Sequence, residues 1–138
     1  MPTTIQKVNY AYLTAASKPG EAARVLEALR AANIYLHAFS GFPQGRNKAQ
    51  MDLVTDDLDA LKGVARREKW KLSRIKRGFL VQGPDQIGVA APPLAKLGRA
   101  KINVIAAHAI AAGEGRFGMI FWVAARDYNR AAKVLEVV

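Results

Sequence analysis

The sequence predicts an α+β protein made of one βαββαβ module written twice, head to tail, each with helices covering one face of an antiparallel sheet. Three observations lead there. The chain repeats itself at a nearly constant offset, strand-like and helix-like segments follow the same order in each copy, and the helical segments carry apolar residues at helical spacing.

The repeat comes first. Residues 20–36 align with 88–104 at an offset of 68: Gly20 meets Gly88, Leu26 meets Leu94, Leu29 meets Leu97, Ile34 meets Ile102 and Leu36 meets Val104. From Gly45 the offset is 70, so that Gly45-Arg46 meets Gly115-Arg116, Asp57 meets Asp127 and Val64 meets Val134. The two additional residues fall in a Gly-containing connection, where insertions are tolerated.

Residues 8–15 and 77–82 are rich in aromatic and β-branched residues, as first strands are. In the first copy Ala22, Val25, Leu26, Leu29 and Ala32 then mark a helix, with Pro19 near its start. In the second copy Pro92-Pro93 requires the helix to begin near Pro92 or kink there. Second strands are expected at 34–39 and 102–107. Turns at 41–46 and 113–116 lead to third strands at 49–54 and 117–124. Asp57 and Asp127 suit N-caps of the second helices. Residues 70–76 supply a fourth strand in copy one. Copy two has none, because the matching residues would lie beyond Val138. The expected modules are therefore 1–76 and 77–138, the second truncated. Its first strand is left as an open edge, which predicts pairing with another chain as a homodimer.

The chain has 138 residues, no cysteine and a net charge of +10. Disulfides and thiolate chemistry are thereby excluded. The stretches 102–113 and 117–125 fall short of the roughly 18 apolar residues of a membrane span. The first 16 residues lack the apolar core of a signal peptide. A soluble cytoplasmic protein is the expectation. The charge is concentrated between Lys62 and Arg77, where eight basic residues stand against Glu68. Such a run reads as a solvated helix face and a charge-defended edge, or as a surface for an anionic partner.

Within this frame Pro84-Asp85-Gln86-Ile87-Gly88-Val89, followed by Leu94, Leu97 and Lys101-Ile102-Asn103-Val104, resembles the ACT domain, a regulatory module. Lys18-Pro19-Gly20-Glu21 through Leu26, Leu29 and Ala32-Asn33-Ile34 is similar to the same pattern. The resemblance spans roughly residues 8–136 and implies a ferredoxin-like fold in tandem. It further implies paired modules that bind an amino acid or related metabolite at their interface. The implied ligand residues are Asp85, Gln86, Ile87, Gly88 and Asn103 in copy two, with Lys18, Pro19, Gly20 and Asn33 in copy one. Ile87 stands where the family has proline. No catalytic residue, metal or cofactor is implied, and the expected role is to bind a ligand and regulate an enzyme.

Two other readings compete. His37 and His108 are isolated on strands and read as structural residues. RNA binding is the principal alternative, since an RRM shares the βαββαβ order and stacks bases on its first and third strands. Residues 78–81 and 115–122, with Phe79, Phe117 and Phe121, would carry that stacking, and the basic segment 62–77 would hold phosphates.

Overall fold

A computed structural model describes residues 2–138. In chain order the elements are β1 (Thr4–Ala16), α1 (Glu21–Ala31), β2 (Ala38–Pro43), β3 (Lys48–Val54), α2 (Leu58–Glu68), β4 (Lys76–Pro84), α3 (Ala91–Arg99), β5 (Val104–Gly113), β6 (Arg116–Val123) and α4 (Tyr128–Val134). The chain divides into two compact units, residues 9–76 and residues 77–138 joined by those up to Val8. β1 thus contributes its first residues to one unit and its remainder to the other.

In the unit of residues 9–76 the strands neighbour one another as β2-β3-β1, antiparallel throughout. Alternation along the strands sends Ala11 and Leu13 of β1, with Met51 and Leu53 of β3, to one face. There they meet Val25 and Leu29 of α1 and Leu61 and Val64 of α2 in one buried cluster. Asp57 caps α2 by accepting from the Ala60 N–H, as its position in the sequence predicts.

In the other unit the order is β5-β6-β4-β1. Phe79 and Val81 of β4 and Phe117, Met119, Phe121 and Val123 of β6 face Leu97 of α3 and Tyr128, Ala131 and Ala132 of α4. Tyr128 organises this core. Its ring stacks on Phe79 at 4.6 Å and 13°, the Arg77 guanidinium lies 4.0 Å from its centroid, and its hydroxyl donates to the Gly78 carbonyl at 3.0 Å. Arg77 of the basic run is thereby engaged in packing. Asp127 makes no capping bond; its carboxylate takes a bond from Arg130 across a short 3-10 turn at Ala125–Asp127.

The open edge expected at β4 is absent. β4 lies between β6 and β1, and the first residues of β1 flank it on the side away from β6. A Cβ on Gly83 would meet Thr3, a Cβ on Gly78 would meet Val8, and the Thr4 hydroxyl reaches the Gln82 carbonyl. The two segments therefore run antiparallel.

Two further expectations are corrected. The second strand of copy one runs 38–43, not 34–39, and residues 70–75 form no strand. Both corrections follow from the way the helices end. After α1, the Asn33 N–H bonds to the Arg30 carbonyl and the Ile34 N–H to that of Leu29; after α2, Lys69 and Trp70 bond to Arg66 and Ala65 in the same way. Lys101 and Ile102 close α3, and Glu136 and Val137 close α4, by the same pair of bonds. This is the Schellman closure. It turns the first residues after each helix to capping the helix, and leaves 70–75 joined to β1 chiefly through Ser73, whose N–H bonds to the Tyr12 carbonyl and whose hydroxyl accepts the Tyr12 N–H.

Three outcomes test this account. Gly83→Ala places a carbon 2.8 Å from the Thr3 backbone. It is expected to cost about 1–3 kcal/mol in denaturant unfolding, whereas Gly118→Ala, which meets only the Val81 carbonyl at 4.0 Å, costs little. The left-handed position in each closure is filled by a residue with a side chain, Lys101 at φ 60° among them. Lys101→Gly should raise stability by about 1 kcal/mol. Finally, burial, with the Asp52 carboxylate beside it, pushes the Tyr10 phenol up to about 12. Its folded pKa lies above its unfolded one, so its contribution is complete below about pH 10 and is lost as pH rises toward 12. Tyr10→Phe should flatten that alkaline loss in unfolding measured across the range.

Candidate functional site

The sequence pointed to the first strand-to-helix loop of each copy. In the C-terminal copy, residues 85–90 leave β4 with the Asp85 N–H bonded to the Gly115 carbonyl at 2.8 Å, which ties this loop to the β5–β6 turn. Gly88 takes φ +73°, a backbone turn that suits glycine. The Val89 N–H returns to the Gln86 carbonyl and the Ala91 N–H to that of Gly88. The N–H groups of Gln86, Ile87 and Gly88 make no backbone bond, so the loop itself offers a row of donors. The helix behind it offers few. Pro92 and Pro93 have no N–H, and that of Ala91 is already used. The Ile87 side chain is fully exposed at the loop tip.

In the first copy, Ser17 to Gly20 leads from β1 to α1, with Gly20 at φ +89° and no side-chain cap. The N–H groups of Ala22 and Ala23 have neither an intrahelical nor a side-chain partner. Lys18, Pro19 and Gly20 are exposed. Arg24 bonds to Glu21 at 2.7 Å and holds that carboxyl below its usual range. Chemically, the first-copy helix end is the better anion site and the second-copy loop the better nest.

The Asn residues lie elsewhere. Asn33 has φ 58° and closes α1, so its counterpart in the second copy is Lys101, and Asn103 stands two residues further on, exposed at the start of β5. In each copy the glycine loop and the Asn sit at opposite ends of a helix of 11 or 9 residues, roughly 14–16 Å apart along the axis. A small ligand cannot touch both within one module. Asn33 instead borders a cleft of about 550 Å³ with Glu27, Arg30 and Tyr35.

Other chemistry was less legible. His37 is not isolated: its Nε2 lies 2.9 Å from the Asp56 carboxylate, and its ring meets that of Tyr35 edge-on at 5.3 Å. Of the three neighbouring aspartates Asp56, Asp57 and Asp59, the first is engaged by His37 and the second by capping. The stacking platform an RRM requires is not available. Phe79, Phe117 and Phe121 lie in the core beneath α3 and α4, on the helix side of their strands.

β5 has a feature that periodicity did not single out. It is an edge strand, paired only with β6, and carries no charge from Val104 to Gly113. Ile105 and Ile110 are 57% and 69% exposed, and the residues between them are largely exposed on both faces. Natural edges are usually defended by charge, proline or bulges. Here register shifts occur at each end, near 105 and 112, while Ala106–Ala111 is regular.

Neither a family model nor a curated protein sequence matches the chain. Solved structures do match its fold. A protein from Bacteroides thetaiotaomicron superimposes with a TM-score of 0.73 at 19% identity, over 97% of this chain and 88% of that one. The regulatory subunit of aspartate kinase from Thermus thermophilus, in its ligand-free form, gives 0.62 at 18% identity over 97% and 94%. That from Thermus flavus gives 0.60 at 16% over 98% and 94%. The chain has the ACT-like fold of such regulatory domains, with six strands in two βαββαβ-like repeats. Among the described residues no helix is long and apolar enough to cross a membrane.

Proposed function

We propose that this chain is a non-catalytic regulatory protein of the cytoplasm that binds an amino acid or related metabolite between two copies of itself and thereby controls a partner enzyme. One observation carries the reading: β5 is an uncharged edge strand, largely exposed from Ile105 to Ile110, whose free side can pair with its own copy. Antiparallel pairing of β5 with β5 of a second chain, centred on His108, sets Ala107 against the partner's Ala109, Ala106 against the partner's Ile110, and Ile105 against the partner's Ala111. Each isoleucine then faces an alanine, and His108 faces its own copy. The same register carries Asn103 toward the partner's Gly113, at the turn that bonds to the Asp85 loop through Gly115. In such a pair the loop and the Asn, separated by α3 within a module, would come together between chains.

The chemistry at that junction suits a zwitterion. The free N–H groups of Gln86, Ile87 and Gly88 accept a carboxylate, the Asp85 carboxylate takes an ammonium, and the Asn103 amide donates and accepts. Ile87 would be covered. The Lys18-Pro19-Gly20 loop, served by the Ala22 and Ala23 N–H groups, is a secondary anion site, and Asn33 at the far end of α1 lies outside it. The fold shared with regulatory subunits of aspartate kinase supports a regulatory role with a partner enzyme.

Light scattering and a thermal-shift screen of the amino acids test this. The expected result is a dimer stabilised by one or a few amino acids, by roughly 2.7 kcal/mol at a hundred times the dissociation constant. Asn103→Ala should weaken binding roughly tenfold while leaving the dimer intact. Ile110→Glu, at an exposed position, should give a folded monomer that has lost the ligand response. A wild-type monomer, or unchanged ligand binding in Ile110→Glu, would overturn the shared site.

A further inference from the structure

The unit of residues 9–76 contains a second cleft, of about 540 Å³, at the end of β1. Its walls are the turn before β3, with Asn47 and Lys48, and the segment after α2, with Lys71 and Ser73; Tyr12 and Thr14 of β1 lie between. Both walls are fixed. Ladder pairing sets Lys48 opposite Ala16, and the Ser17 N–H bonds to the Asn47 carbonyl at 2.9 Å. Across the cleft, the Trp70 N–H closes α2 and Ser73 exchanges two bonds with Tyr12. Lys48 and Lys71 thus come from two fixed backbone segments that border one cleft.

No acid lines the cleft, and neither lysine has an ion-pair partner among the described residues. The carboxylate on this face of β3, Asp52, is buried and accepts from the Gln50 side chain at 2.9 Å. A third cation lies nearby, with Lys76 Nζ 6.0 Å from the Tyr12 ring. Lys71 also borders an adjoining pocket with Glu21 and Glu68, together with Arg24 and Lys69, so cations outnumber acids around the two pockets and raise the local potential for an anion. The Thr14 hydroxyl and the Asn47 amide add neutral donors, and the Tyr12 ring offers a face for a planar apolar group. The volume falls within the range of small-molecule sites, about 300–1,000 Å³.

We propose that this cleft binds a small phosphorylated molecule, its phosphate held between Lys48 and Lys71 and its carbon portion against Tyr12. A phosphate monoester carries about −1.5 to −2 charges at neutral pH, which matches two ammonium groups. The site is separate from the amino-acid loops and contains none of their residues, so the chain would read two ligands of different chemistry.

Titration calorimetry on the full chain with adenosine 5′-monophosphate provides the test, with inorganic phosphate, succinate and an octamer of single-stranded RNA as competitors. Saturable binding is expected, displaced by phosphate. Lys48→Ala/Lys71→Ala should weaken it by roughly tenfold or more. Lys62→Ala/Arg66→Ala, on exposed positions of α2 outside the cleft, should leave it unchanged, as should Asn103→Ala, which separates this result from the fate of the amino-acid site. The proposal falls if neither the nucleotide nor phosphate binds, or if both lysine and α2 variants weaken binding equally. It also falls if succinate competes better than phosphate, or if the RNA binds more tightly than the nucleotide and loses affinity in both double variants.

Discussion

The pairing of the first residues of β1 with β4 is the constraint on which the rest depends. A module of four strands needs its first strand flanked on both sides, and here the start of β1 supplies the strand beside β4. The chain solves this by making β1 13 residues long, enough for its beginning to serve one unit and its remainder the other. The polypeptide therefore passes between the units twice, near Val8–Asn9 and near Lys76–Arg77. An unpaired β4 would have exposed its backbone N–H and carbonyl groups to any passing strand. Gly83, which has no room for a side chain beside Thr3, shows how closely the donated segment is seated.

Filling that edge moves the question of association elsewhere. With β4 covered, the C-terminal unit has its free edge at β5, and that strand lacks the charges that would defend it. An uncharged, regular and doubly exposed strand is a liability unless it is paired. Its small-large pattern about His108 suits an isologous antiparallel contact, in which each pair occurs twice. In the proposed dimer, assembly and ligand capture would depend on the same backbone contact, so a ligand that favoured the pair would also shift the population of pairs. Such coupling is what a regulatory module requires.

Much of the architecture was legible in the sequence. The duplication, the element order, the start of α3 at the proline pair and the Asp57 cap all rest on local chemistry, and local chemistry is what a sequence displays. The elements that were displaced share one cause. Residues 34–37 and 70–75 contain β-branched and aromatic residues, as strands do, but Ile34 and Trp70 are the apolar residues that close a Schellman turn. Glycine is the usual marker of that turn, and here Asn33, Lys69, Lys101 and Glu136 take its place, so the signal was missing. The same substitution obscured the correspondence of Asn33 with Lys101, and with it the difference between Asn33 and Asn103. Non-local pairing, such as β1 with β4 or Lys48 across from Lys71, leaves no periodic trace at all.

The basic run shows why composition alone misleads. Between Lys62 and Arg77 the sequence looks like one cationic surface, yet its members have separate physical roles. Arg77 packs on Tyr128, Lys76 approaches Tyr12, Lys69 closes a helix in a left-handed conformation, and Arg67 lies 3.8 Å from Glu68. A nucleic-acid surface needs its cations presented together to a continuous backbone, and these are distributed over a helix, a connecting segment and a strand. Lys71 differs from them. It borders one cleft with Lys48, from a distant part of the chain, and two cations at one cleft would favour a compact anion over an extended one. The excess charge is therefore better understood as several local solutions, one of which lines the proposed phosphate cleft.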